Sequence, residues 1–171
     1  MSRENMYDEL LETLAECKGL HVQFHDIYTP GRNDLMSNWI QKIIDGKQPE
    51  KSDTIFHWVH VRDALNAVRI LSENSVKGKM DLCGRRAWTQ EMVLDEIRHL
   101  WLRFQNTMEH SHSLESLSEI PSPAAVTYSG ERRRPDLEPL HTALLSCGLD
   151  GWRPMTAIRV GIMECMAYLL E

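Results

Sequence analysis

No stretch of this sequence approaches the roughly 18 to 20 consecutive apolar residues that a membrane span needs. The N-terminus, MSRENMYDEL, is too acidic and polar for a signal peptide. A cytoplasmic location without a membrane partner is therefore expected. Positive charge is scarce as well, since Lys and Arg number 19 against 25 Asp and Glu, for a net charge of -6. That balance excludes a general nucleic-acid or anionic-membrane binder, and any phosphate has to be held by a local basic cluster. Cysteine is sparse and scattered. Cys17, Cys83, Cys147 and Cys165 form no CxxC pair, so neither a zinc knuckle nor a disulfide framework is indicated, and the thiols are expected to be reduced and mostly buried.

What remains is ordinary globular material. Hydrophobic residues are 42% and charged residues 26% of 171, which excludes disorder as the main state. A single domain over residues 1–171 is expected, long enough to remove about 70% of the unfolded chain's surface from water.

Met6, Leu10, Leu11 and Leu14 recur at helical spacing over 4–17, and Gly19 sits where a left-handed cap stops a helix. Residues 21–28 alternate like a strand and close on Thr29-Pro30-Gly31, a turn. Leu35, Trp39, Ile40, Ile43 and Ile44 predict a second helix over 34–45, followed by a polar loop over 47–54. Residues 55–61 are aromatic and β-branched and read as a strand, with a helix from Asp63. Met80 to Cys83 reads as a short strand ended by Gly84, and Thr89 stands where it would cap a long helix carrying Met92, Val93, Ile97, Leu100, Trp101 and Phe104. The Ser- and Pro-rich residues 106–130 are expected to form a mobile insertion with one short strand near 125–128. A helix ending at Cys147 with Gly148 as its cap, the turn Gly151-Trp152-Arg153-Pro154 and an amphipathic end helix complete the chain. Helices and short strands alternate without a repeat, an α/β pattern.

Several of these stretches, in this order, resemble the C-terminal part of an extended short-chain dehydrogenase/reductase, the NAD-dependent nucleotide-sugar epimerase/dehydratase family, and most of all its UDP-glucuronate decarboxylase branch. Tyr28-Thr29-Pro30-Gly31 is similar to the family's YGPG turn, and Met36-Ser37-Asn38-Trp39-Ile40 to its SNFI helix. Residues 56–64, FHWVHVRDA, resemble the segment written RDFVHVDD, and residues 80–84, MDLCG, resemble VYNIG. Most specific is Arg132-Arg133-Arg134-Pro135-Asp136, followed at a suitable distance by residues 151–154, GWRP. The resemblance implies an α/β fold made of a remnant of a Rossmann-like parallel sheet and the substrate-binding subdomain.

Set against the family, two pieces of chemistry are missing. There is no GxxGxxG turn, whose backbone N–H groups hold the cofactor pyrophosphate. The YxxxK pair is missing too: matching the first helix to the family puts the Lys slot near Glu4 and the Tyr slot before Met1. Asp26 stands where the family has an Asn, and Phe56 where an Arg reaches the substrate diphosphate. Arg134 and Asn38 are left as the candidate nucleotide-sugar contacts. The implied function is the nucleotide-sugar-binding half of an NAD-dependent epimerase, dehydratase or decarboxylase, inactive alone. It would bind no cofactor by itself and use NAD when a complementary Rossmann-half polypeptide supplies the missing motif. The alternative is a non-catalytic pseudoenzyme, an interaction or homo-oligomerisation module that pairs through its first and last helices or its open sheet edge.

Other residues have plainer readings. Arg132, Arg133 and Arg134 suit a diphosphate, because a guanidinium fork matches phosphate oxygens in pairs, or form a solvated basic run. His57 and His60 have ligand-like spacing, but on a strand residues i and i+3 face opposite ways, so they are expected to be structural or on the surface. Glu109, His110 and His112 are expected to form a polar loop, and no metal site is assigned. The five tryptophans, Trp39, Trp58, Trp88, Trp101 and Trp152, are expected mostly in the core. Neither Tyr7 nor Tyr28 is placed as a catalytic base, and Asp63 and Asp136 are expected to cap the helices that follow them.

Overall fold

Helix ends carry backbone groups that need partners, and in the computed structural model, which describes residues 6–115, 128–131 and 133–171, side chains supply several of them. Helix α1 (Met6–Glu16) buries Leu10 and ends before Gly19, whose φ of 83° turns the chain into strand β1 (Leu20–Phe24). After β2 (Ile27–Tyr28), Asp34 caps α2 (Leu35–Ile44): one carboxylate oxygen accepts the Ser37 N–H at 2.8 Å and the other the Thr29 N–H at 3.1 Å. Thr89 Oγ1 accepts the Met92 N–H at 3.2 Å and starts α4 (Gln90–Met108), as its position predicts. Helices α5 (Glu138–Ser146) and α6 (Ile158–Leu170) close the chain.

Two expected strands are broken in the middle. The run 21–28 divides into β1 and β2 at His25-Asp26, where Asp26 adopts a φ of 50°. The run 55–61 divides into β3 (Ile55–Phe56) and β4 (Val59–His60), and α3 (Val61–Glu73) starts at once. Hydrogen bonds from outside the ladders explain the breaks: the Asp26 carboxylate accepts the His57 N–H at 2.6 Å, and the Gly84 N–H donates to the His57 carbonyl at 2.7 Å. Asp63 does not cap α3. His60 does, its Nδ1 accepting the Arg62 N–H at 3.2 Å, while Asp63 accepts the Thr156 N–H at 2.9 Å and ties down the segment before α6. Asp136 accepts the Glu138 N–H at 2.9 Å, at the first turn of α5.

Strand β1 pairs in parallel with β5 (Gly78–Leu82) from Leu20 opposite Gly78 to Phe24 opposite Leu82, and β2 pairs in parallel with β4. Strand β3 pairs antiparallel with β6 (Trp88–Thr89). The β1 to β5 crossover, which passes through α2 and α3, is what a parallel pair requires, and the α/β class read from the sequence is the observed one. Two cores form on either side of the β2–β4 seam. Leu10, Val59, Val68, Leu71, Leu82 and Leu140 fill one among α1, α3, α5, β1 and β5. Met36, Trp39, Ile40, Trp58, Ile97 and Ile162 fill the other among α2, α4 and α6. At the start of β4, Val59 goes to the first core and the preceding Trp58 to the second.

Helix α4 runs to Met108, past the expected insertion boundary at 106, with Thr107 Oγ1 bonded back to the Arg103 carbonyl at 2.9 Å. The expected strand at 125–128 lies outside the described residues except for Tyr128, which is in no strand. Cys83 and Cys165 are buried and Cys17 and Cys147 half-buried, all four as free thiols. Among the described residues no helix is long and apolar enough to cross a membrane.

His60, at 1% exposure, has its imidazole held below the usual histidine range by burial and by the Arg62 charge, against the pull of Glu164 and Asp63. A group whose folded pKa is lowered contributes stability above its unfolded pKa, about 6.5 for an imidazole, that is lost as pH falls. Urea midpoints are therefore expected to drop between pH 7 and pH 5. His60→Asn, which keeps an acceptor for the Arg62 N–H and cannot titrate, is expected to flatten part of that slope.

Candidate functional site

Strand β5 ends at Leu82, and Cys83 and Gly84 carry the chain over the backbone of His57 and Trp58. A Cβ on Gly84 would overlap the Trp58 carbonyl oxygen, so the crossing needs glycine for clearance. The Trp152 indole N–H donates to the Cys83 carbonyl at 2.8 Å and holds the crossing from the other side. Arg85 and Arg86 follow directly and stand past the C-terminal end of a parallel strand, where open α/β sheets place their ligands.

Arg85 lines two adjoining clefts. The first, about 610 Å³, also takes Arg134, Asp136, Glu138, His141 and Trp152 into its wall. Arg134 Nη1 donates to the Arg85 carbonyl at 3.1 Å, which brings the two residues side by side. The second cleft, about 540 Å³, has Tyr28, Trp58 and Trp88 in its wall with Arg86, Arg153 and Arg159, and no carboxylate among its lining residues. Arg86 lies 4.2 Å over the Trp88 ring, a cation–π contact, and partial burial lowers its pKa against the opposing pull of Glu96. Arg159 is bound through two nitrogens to Glu96, at 2.5 and 3.3 Å. The first cleft is thus mixed in charge and the second basic over an aromatic floor. Both suit an anionic, ring-bearing ligand.

Tyr28 is 1% exposed, and burial first, then Cys165, Asp63 and Glu164, push its phenol well above the usual tyrosine range, so it remains a protonated wall residue. Burial likewise pushes the Cys83 thiol up to about 12, with Asp26 adding to the effect.

Of the residues singled out in the sequence, Arg134 lines the first cleft. Arg133 is exposed and pairs with Glu131 at 3.4 Å, and Arg132 lies outside the described residues. Asn38 is on the exposed side of α2 and lines neither cleft. His57 and His60 are both buried, at 2% and 1% exposure, so they are structural and not on the surface. His112 Nε2 is 2.7 Å from Thr107 Oγ1. Among the described residues no three His, Cys, Asp or Glu side chains gather around a possible cation. Trp39, Trp58, Trp88 and Trp152 are buried as expected, and the last three also form cleft walls. Sequence reasoning missed Arg85, Arg86, Arg153 and His141. The basic pair directly after a strand-ending Gly84 was a usable signal for the first two. His141 had none, because it reaches the cleft only through its packing on Trp152.

No family model and no curated protein matches this sequence. Solved structures do. The Bordetella bronchiseptica enzyme WbmF in complex with NADH superposes with a TM-score of 0.59 at 11% identity over 96% of this chain and 49% of its own. The dTDP-glucose 4,6-dehydratase of Bacillus anthracis, in complex with NAD, gives 0.58 at 17% identity over 87% and 43%. The UDP-glucose 4-epimerase of Thermus thermophilus, also with NAD, gives 0.55 at 15% identity over 96% and 51%. At these identities the likeness is one of fold, and the chain spans about half the length of the structures it matches.

Gly84→Ala is expected to cost about 2–3 kcal/mol, since the obstructing atom is backbone and cannot rotate away. Urea unfolding measures the loss, and a variant as stable as the parent would mean that the crossing relaxes freely.

Proposed function

We propose that this chain forms the nucleotide-sugar-holding half of an NAD-dependent sugar epimerase, dehydratase or decarboxylase. One observation carries this reading: Arg134, docked on the Arg85 carbonyl, lines with Arg85 a cleft that adjoins a second one walled by aromatic rings. Paired guanidiniums match the oxygens of a diphosphate, and aromatic walls accept the faces of a base or a sugar. The fold supports it, as WbmF is seen with NAD+ and UDP at a TM-score of 0.57. The collinear motifs around Tyr28, His60 and Arg134 favour the UDP-glucuronate decarboxylase branch.

The residues present do not fit NAD. The sequence has no Gly-rich turn, and the helix starts after β2 and β4 are closed by this chain's own side chains. The Asp34 carboxylate holds the Ser37 N–H, and the His60 imidazole holds the Arg62 N–H. A pyrophosphate at either end would have to displace them. Hydride transfer therefore rests on residues other than these, and the task of this chain is to bind and orient the nucleotide sugar.

Thermal-shift assays with UDP-glucose, dTDP-glucose and NAD test the reading. A nucleotide sugar is expected to raise Tm by a few degrees at saturation, as preferential binding to the folded state requires. NAD alone is expected to leave it unchanged. Arg134→Ala is expected to weaken nucleotide-sugar binding about tenfold, the scale of one charge-assisted hydrogen bond. No shift with any nucleotide sugar would overturn the reading.

A second reading, an interaction module, is favoured by one feature. Val160, Met163 and Leu170 are 46%, 56% and 41% exposed along one side of α6, an apolar line without a partner among the described residues. On that reading light scattering after size exclusion gives a dimer or larger. A monomer across micromolar concentrations counts against it.

A further inference from the structure

The first cleft contains an imidazole whose protonation pattern the fold imposes. His141, on α5, is half-buried and lines the cleft with Arg85 and Arg134. The Trp152 backbone N–H donates to its Nδ1 at 3.0 Å. An amide N–H can only donate, so Nδ1 is bare and the proton of the neutral ring sits on Nε2. The ring rests over Gly151, which has a φ of 77° and where any Cβ would overlap it. Glycine is therefore required at 151 both for its backbone conformation and for the close approach. Trp152 is in turn pinned to the Cys83 carbonyl, two residues before Arg85. One rigid path thus sets the imidazole and the Arg85 segment relative to each other. Asp136 and Glu138 also face this cleft, and an Asp136 oxygen is already occupied by the Glu138 N–H. Among the described residues His141 Nε2 has no hydrogen-bond partner.

We propose that His141 Nε2–H is a third donor to the phosphate oxygens of the ligand held by Arg85 and Arg134, which makes His141 a binding residue of this cleft. The assignment rests on the nucleotide-sugar reading above. It adds direction to it: the guanidiniums supply charge, while the tautomer-fixed imidazole offers a single oriented N–H.

Two substitutions separate this role from a purely structural one. His141→Asn keeps an acceptor near the Nδ1 position for the Trp152 N–H and has no atom at the Nε2 position. His141→Gln does the reverse, placing an amide N–H near Nε2 and giving up the Nδ1 contact. With inorganic pyrophosphate and UDP as probes in calorimetric titration, His141→Asn is expected to fold normally and bind about tenfold more weakly, while His141→Gln keeps most of the affinity at a lower Tm. Parent-like affinity in His141→Asn, alongside weakened binding in Arg134→Ala, overturns the His141 role and leaves the Arg134 reading standing. Absence of pyrophosphate and UDP binding to the unaltered protein removes both. Should either variant fail to fold, nitrogen NMR of the unaltered protein decides. A proton on Nε2 whose signal moves on addition of pyrophosphate supports the proposal. A proton on Nδ1, or an unmoved signal, refutes it.

Discussion

The short backbone segment at His57 and Trp58 is held from two sides, and much of the rest of the molecule is arranged around that hold. The Asp26 carboxylate takes the His57 N–H and the Asp26 carbonyl takes the Val59 N–H at 3.1 Å, while Gly84 lies against the His57 and Trp58 carbonyls from the other side. A hydrogen bond to a charged acceptor is worth about 1.5–3 kcal/mol, enough to offset the one or two ladder bonds of about 0.5–1.5 kcal/mol each that a continuous strand would have added here. The strands therefore break and the chain changes layers. That break turns Trp58 into the aromatic cluster, stacked on Phe56 at 5.0 Å and edge-on to Trp39 at 5.7 Å, while Val59 serves the other core. The same contact fixes the point at which β5 ends and the arginines begin.

Ion pairing offers no reason for Arg85 and Arg153 to be where they are. Exposed ion pairs contribute about 0–1 kcal/mol, and among the described residues Arg85 and Arg153 make no ion pair. The Arg134 guanidinium donates to an uncharged backbone carbonyl and to no carboxylate among the described residues. On a chain with a net charge of -6, long-range attraction for polyanions is weak, and whatever affinity exists for an anion must come from this cluster at short range. Arg159 makes the contrast clear: its pairing with the buried Glu96 satisfies a carboxylate that would otherwise be costly, so it belongs to the wall more than to the ligand.

What could be read in advance and what could not divide along physical lines. Helices with a strong apolar side and a short polar cap were legible, and α2 and α4 lie within a residue or two of expectation at their starts because Asp34 and Thr89 act locally. The breaks at Asp26 and His57 were not, since they depend on a hydrogen bond between residues 31 positions apart. Asp63 looked like a cap and was drawn to Thr156, 93 positions away, once His60 had taken the helix end. Arg134, the candidate contact taken from its motif, stands in the wall of the first cleft. Arg85 and His141 were not legible, because an arginine in a short loop and a histidine on a helix acquire meaning only when a distant tryptophan brings them to one cavity.

The same local chemistry that starts the helices also limits what the chain can do. A helix N-terminus gripping a pyrophosphate must keep its first N–H groups unoccupied and let the phosphate come close, which a Gly-rich turn achieves by having no side chains to compete. Here the helix after β2 begins with a carboxylate and the helix after β4 with an imidazole, each already bonded to the helix it starts. A carboxylate at Asp34 would also repel a phosphate at close range, by an amount that grows as water is excluded. Burial raises the Asp34 pKa, but the Ser37 and Thr29 N–H groups oppose that rise and stabilise the charged form. The basic side chains gather instead beyond the strand ends, where Arg85 and Arg134 meet. A site built from guanidiniums on loops tolerates varied phosphate geometries and holds the ligand without the close backbone approach that hydride chemistry on a dinucleotide demands. Gripping a dinucleotide at a helix end and holding an anion with side chains thus make different demands, and the occupied helix ends of this chain do not meet the first.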